Sequence, residues 1–417
     1  MEESRNNADT GETGTAMADI ENKGTVLVLG NSGVGKSTLI NAVLGEDIAR
    51  TGRGTTGTTG ELAIYDSPKT PFRVIDTVGF EPGYLQQRKA VHSVNKWSKE
   101  VMAGTSQESA IGVIWFCVDG TAGKLFSQTI TNLLKAAKSW PSVPIIAVIT
   151  KSYSHPDRQE NISLVKEAFA GRKSVNRLRR IIPVVAQIYS LNDTMFAPPE
   201  GIIDLIDATN ELMPEGRRAA REDMSTFKLQ RKRMLAHSIV AASTTAAAVV
   251  GAVPIPFADV AILGPVEIGE VNALAKLYGI SDIKGSKALT DSLVDVGTTS
   301  VAAKALASTL KAIPGIAVGA AVINAVIAAS IAAGLGEASV YAFEQVYLGK
   351  KTVDDINWAR KLVEDRLSDD FLTKLTAMLK DLGHGQSTRT SDIVNLVMGL
   401  FFQKPGDAST TSAAKES

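Results

Sequence analysis

Gly30-Asn31-Ser32-Gly33-Val34-Gly35-Lys36-Ser37 follows the apolar run Thr25–Leu29 and leads into Ser37-Thr38-Leu39-Ile40-Asn41-Ala42-Val43-Leu44, whose apolar positions recur at helical spacing. This is GxxxxGK[ST] in its context of strand, loop and helix. Glycines let successive backbone N–H groups turn inward around phosphate oxygens, and a helix start adds the positive end of its dipole. In such a loop Lys36 reaches the β- and γ-phosphates and the Ser37 hydroxyl ligates Mg²⁺. The stretch predicts binding of a nucleoside triphosphate.

The chain around it has 417 residues, too many for one typical core, so two or more domains are expected. Lys and Arg number 44, as do Asp and Glu, so no global field favours a nucleic-acid partner, and none is expected. The single cysteine, Cys117, sits within Ile111–Val118 and reads as a packing residue in a reducing compartment. Residues 1–23 are polar and acidic, without the apolar core of a secretory signal, and read as a disordered arm. Residues 405–417 read as a disordered tail.

Beyond the first helix, Arg50–Gly60 sets threonines among glycines and predicts a mobile loop. Its place suggests a switch, with one Thr hydroxyl joining Mg²⁺ only when the γ-phosphate is present. Glu61–Tyr65 and Phe72–Ile75 alternate as strands across a Ser67–Pro71 turn. Asp76-Thr77-Val78-Gly79 then ends the second strand. An Asp there contacts the Mg²⁺ shell, and Gly79 lets backbone N–H approach the γ-phosphate. Ile111–Val118, Val143–Thr150 and Ile181–Ala186 are further strands separated by helical segments, giving an α/β fold with a mostly parallel sheet covered on both faces.

On these motifs, residues 24–213 resemble a small G-protein domain of the Era-like, translation-factor-related class of GTPases. The resemblance implies that Gly30, Asn31, Ser32, Gly33, Val34, Gly35, Lys36, Ser37 and Thr38 hold phosphates. It also implies that Thr56, Thr58 or Thr59 serves the first switch and that Asp76 and Gly79 start the second. Lys36, Thr58 and Gly79 are the expected catalytic positions, and Ser37, Thr58 and Asp76 the expected Mg²⁺ contacts. The base-reading [NT]KxD motif of that class becomes Thr150-Lys151-Ser152-Tyr153, with Tyr153 in place of the carboxylate. Lys151 retains a stem to stack on the base, Asp157 is a candidate replacement, and Ala186-Gln187 supplies the last base contact. Guanine stays the favoured base. Phe80 stands where many GTPases carry a water-orienting Gln, so slow hydrolysis is expected unless Glu81, a partner or a second protomer positions the water. The four histidines make no metal-ligand spacing.

Pro214-Glu215-Gly216 ends the last G-domain helix, and residues 214–236 read as a basic linker helix. Within residues 237–404, read as an all-α domain, two stretches reach the length of a bilayer crossing. They are Met234–Ala258 and Ala312–Gly336, both marginal in hydrophobicity. In the second, Ile323, Ile327, Ile331 and Leu335 form a ridge beside an alanine face, and Gly315 and Gly319 form a GxxxG. A buried hairpin, surface attachment through the basic stretch, and true spanning helices are the alternatives. Val253–Asp259 and Ile313–Ala317 open two faintly similar segments. With the Leu277-Tyr278-Gly279 close, they make this half resemble the YcjF-like helical domain that follows G domains in a family of bacterial GTPases.

The expected function is therefore GTP hydrolysis with Mg²⁺, coupled to rearrangement of a helical, membrane-associated domain in the cytoplasm. Two alternatives are a nucleotide-bound scaffold with little hydrolysis and an integral membrane protein gated by its G domain. Expected partners are GTP and GDP, a membrane surface, a second copy of the chain and a protein effector.

Overall fold

The computed structural model describes residues 23–45, 62–77, 91–96, 111–216, 218–253, 263–299, 308, 320–382 and 389–402. The terminal arms, Thr56, Thr58, Thr59, Gly79, Phe80, Glu81, Pro254–Asp259 and Ile313–Gly319 lie outside the described residues. The chain divides into two units, Met1–Gln187 with Pro199–Arg231, and Ile188–Pro198 with Lys232–Ser417.

The first unit is a six-stranded sheet. Its strands are β1 (Thr25–Leu29), β2 (Leu62–Tyr65), β3 (Arg73–Thr77), β4 (Val113–Asp119), β5 (Ile145–Thr150) and β6 (Leu178–Pro183), in the spatial order β2-β3-β1-β4-β5-β6. Only β2 runs antiparallel, against β3. Every residue of β1 and β5 is buried, which is why these strands read as unbroken apolar runs: helices cover both faces. On one face Leu27, Ile114, Phe116 and Ile145 pack with Phe126, Ile130 and Leu133 of α2 (Phe126–Ala136) and Val165 and Phe169 of α3 (His155–Phe169). α1 (Lys36–Leu44) packs with α4 (Ile202–Leu212), and the Trp115 indole N–H donates to Thr209 Oγ1 at 2.9 Å. The register pairs Val28 with Asp76 and Asp119 with Thr150, so the carboxyl ends of β1, β3, β4 and β5 share one edge. Ligands of open α/β sheets bind at that edge.

Between β6 and α4 comes a short hairpin, β7 (Tyr189–Ser190) with β8 (Phe196–Ala197), which groups with the second unit. That unit is otherwise helical. The helix α5 (Arg221–Ala252) takes in the basic stretch and the first uncharged stretch together, so the linker and the apolar span are one element. It is followed by α6 (Gly264–Tyr278), α7 (Ser286–Thr299), α8 (Ala320–Tyr347), α9 (Ile356–Arg366), α10 (Asp369–Leu382) and α11 (Thr390–Phe402).

The centre of the second unit is α8, buried from Ala325 to Val340. Its alanines and glycines let neighbours come close: a Cβ on Gly334 would meet the Leu367 side chain, and one on Gly336 would meet the Glu270 carboxylate. The sequence placed an apolar span up to Gly336; the helix instead runs on to Tyr347 and buries Glu337 and Glu344. Glu344 forms a two-pronged pair with Arg233 at 2.5 and 2.7 Å, and Glu337 lies 3.4 Å from His237. Lys232 donates to the Leu277 carbonyl and lies 4.8 Å from the Tyr347 ring centre. These pairs explain how charges are kept among apolar helices.

Candidate functional site: a phosphate loop and its base-side clamp

The loop between β1 and α1 depends on glycine at two conformations. Gly33 (φ 78°) and Gly35 (φ 95°) are left-handed, which side chains resist, and Gly35 is the residue that starts α1. At Gly30 the constraint is space, since a Cβ would stand 2.9 Å from the Cys117 carbonyl oxygen. The helix that follows has no acid in its first turn and no side-chain cap at its start. The first-turn N–H groups are therefore left without a side-chain acceptor from the cap, at the positive end of the helix. Lys36 is buried and its ammonium donates to the Gly30 (3.0 Å) and Asn31 (3.2 Å) carbonyls, holding its charge across the loop. Ser32 and Ser37 are exposed at the same edge, with Thr38 half-buried.

Asp76 is 5% exposed, and its Oδ1 is buried without a hydrogen-bond partner among the described residues. Burial pushes its carboxyl above the usual range, with the Lys36 charge pulling the other way. A buried carboxylate oxygen without a partner is costly unless something cationic meets it. With the Ser37 hydroxyl, that donor set suits a small hard cation whose other positions go to phosphate and water. Cys117, beneath the loop, is inert: burial pushes its thiol up to about 12.

The far side of the loop is clamped by β5. Thr150 Oγ1 lies within hydrogen-bond reach of two carbonyls, Val34 at 2.6 Å and Val118 at 3.0 Å, and its single proton is donated to one of them at a time. Lys151, with φ 53°, donates to the Gly33 carbonyl at 2.9 Å and pairs with Asp119 at 2.6 Å. Burial raises the Asp119 carboxyl, but hydrogen bonds from Lys151 and Thr121 outweigh it and hold it below the usual range. The next loop is tied in: Ser152 N–H donates to the Val184 carbonyl at 3.1 Å, and Arg158 joins the Ser152 carbonyl (2.9 Å) to Glu200 (2.8 Å). Ala186 and Gln187 follow directly.

The structure thus gathers residues 30–38, Asp76, Thr150, Lys151 and the strand leading to Ala186-Gln187 at one edge of the sheet. Asp157 stands exposed on the first turn of α3. The carboxylate on Lys151 is Asp119, which the sequence reading missed. Its signal was visible: an acid ending the apolar run Val113–Val118, directly before Gly120.

Residues 25–151 match the family described as 50S ribosome-binding GTPase, and residues 217–368 match a domain of unknown function, DUF697. The chain is 25% identical over 210 residues to GTPase Era of Pasteurella multocida (strain Pm70), covering 50% of this chain and 60% of that protein. It is 34% identical over 136 residues to the probable GTP-binding protein EngB of Rhodopseudomonas palustris (strain BisB18), covering 32% of this chain and 59% of that one. The chain therefore spans about 60% of the length of these relatives. Among solved structures, Toc33 from Arabidopsis thaliana aligns with a TM-score of 0.32 and 19% identity, covering 49% of this chain and 90% of that one. Era in complex with MgGDPNP and a segment of 16S ribosomal RNA aligns with a TM-score of 0.29 and 23% identity, covering 54% and 67%.

Proposed function

From a chain that carries a P-loop GTPase domain with Era and EngB homologues, followed by a DUF697 helical domain, we propose that the protein binds GTP with Mg²⁺ and hydrolyses it slowly. Nucleotide state then biases the arrangement of the helical domain at a membrane surface. The observation that carries this reading is the pre-set edge: two left-handed glycines, an uncapped helix start, Lys36 drawn across the loop, and the orphaned Asp76 oxygen.

In this reading the loop amides and Lys36 hold the phosphates, while Ser37 and Asp76 hold the cation, directly or through water. Bound Mg²⁺ neutralises charge that develops on the phosphate oxygens during transfer to water. Thr150 and Lys151 fix the loop from behind, so little reorganisation accompanies binding. Thr58 and Gly79 are proposed as the γ-phosphate contacts of the two switches. Surface attachment is favoured over spanning because α8, the more apolar long helix, has 72% of its most apolar window buried among other helices. Single-turnover phosphate release from the purified chain tests the enzyme reading. Release that requires Mg²⁺ and is lost with Lys36→Ala supports it; a bound GTP that stays intact for hours supports the scaffold instead.

A further inference from the structure

We propose that the base end of this site takes guanine and hypoxanthine triphosphates alike, because the half-buried carboxylates there are already engaged in charge-assisted bonds. The inference rests on the nucleotide-binding reading above and names its selectivity. Guanine differs from hypoxanthine by its 2-amino group, so telling them apart requires an acceptor aimed at that edge. A carboxylate is the strongest such acceptor, worth roughly 1.5–3 kcal/mol, or about 10–100-fold in affinity.

Among the described residues, three carboxylates lie on or beside the base-side loops. Asp119 Oδ2 accepts from Lys151 at 2.6 Å, and its Oδ1 accepts from both the Thr121 N–H (3.0 Å) and hydroxyl (2.6 Å). Glu200 pairs with Arg158 at 2.8 Å and lies 3.8 Å from His155. Asp157 is exposed on the first turn of α3, where a carboxylate favours the helix start and keeps its hydration. Tyr153, two residues after Lys151, is half-buried and neutral, and its N–H donates to the Lys151 carbonyl at 2.9 Å. Among the described residues, Asp119 has both oxygens in hydrogen bonds and Glu200 Oε1 is held by Arg158, so turning either half-buried acid toward a 2-amino group competes with a charge-assisted bond.

The 6-position is read differently. Among the described residues, the Ala186 and Gln187 amides have no backbone acceptor. Such N–H donors suit the 6-oxo group shared by guanine and hypoxanthine and oppose the 6-amino group of adenine. Asp119 is then a positioning residue: it holds the Lys151 ammonium against the Gly33 carbonyl and leaves base choice unaffected.

Displacement of a fluorescent GDP analogue from the full chain by GTP, ITP and ATP, with Mg²⁺, tests this. ITP is expected within about threefold of GTP, and ATP more than tenfold weaker. Tyr153→Asp is expected to favour GTP over ITP by about 10–100-fold. Asp119→Asn should weaken GTP and ITP in parallel, and Asp157→Ala should leave their ratio unchanged. A wild-type preference for GTP over ITP of tenfold or more overturns the inference, and its collapse in Asp157→Ala would name the acceptor. If no nucleotide displaces the probe, the nucleotide-binding reading itself fails.

Discussion

Asp76 shows how a single side chain trades stability for chemistry. Its carboxyl is buried beside β1 with one oxygen lacking a partner among the described residues, and burial raises its pKa above the ordinary range. A raised carboxyl favours the folded state where it is protonated, and that stability is lost as pH rises through the folded pKa. Asp76→Asn is therefore expected to raise the melting temperature of the nucleotide-free protein at pH 8, and to lower Mg²⁺-dependent phosphate release by tenfold or more. Melting curves with and without Mg-GTP check both halves. A variant that melts lower without ligand and hydrolyses normally contradicts the assignment. Thr150 is the complementary case, a residue whose one hydroxyl proton has the Val34 carbonyl at 2.6 Å as its nearer acceptor and so ties the glycine-rich loop to β5.

Among the elements, α6 and α8 carry the most unusual chemistry. Glu267 and Glu270 on α6 are buried, and among the described residues no oxygen of either has a hydrogen-bond partner. Burial pushes Glu267 up to about 7. It pushes Glu270 well above the ordinary range, helped by the charges of Glu267 and, from α8, Glu337. His237 of α5 faces Glu337, and Arg233 and Tyr278 lie toward Glu344. The sign follows from the raised values: the helical unit is most stable where these acids stay protonated, and it weakens as pH climbs from the ordinary carboxylate range through about 7. Glu270→Gln is expected to flatten that slope and raise the melting temperature at pH 8 by a few degrees, about 2–4 °C per kcal/mol recovered. A slope unchanged by the substitution contradicts a buried, uncharged Glu270. The same helices show where the sequence stopped being legible. β1, β4 and β5 were readable because strands covered on both faces are apolar at every position. Uncharged stretches of α5 and α8 carry the same signature whether lipid or protein surrounds them, and α8 runs on past its uncharged stretch to Tyr347, where Glu344 is kept by its pair with Arg233. In the first unit the strand, glycine turn and helix around Lys36 were legible from spacing. Asp119 was not, since its meaning comes from the β4–β5 register that sets it beside Thr150 and within reach of Lys151.

For the whole molecule, two questions separate: whether the helical unit lies in lipid, and whether the G domain takes nucleotide. Both long helices are apolar enough to cross a bilayer by length and composition, with 50% and 72% of their most apolar windows buried in protein. Helices whose apolar faces are occupied by one another have little left for lipid. Carbonate at high pH is accordingly expected to release the protein from membranes, while flotation at neutral pH with anionic liposomes retains it; resistance to carbonate argues for spanning helices. If the amides ahead of Lys36 close around a triphosphate, calorimetric titration of the 417-residue chain with a non-hydrolysable GTP analogue and Mg²⁺ will show saturable one-to-one binding that Lys36→Ala weakens by at least a hundredfold. No binding by the wild type, or equal binding by both, contradicts that closure.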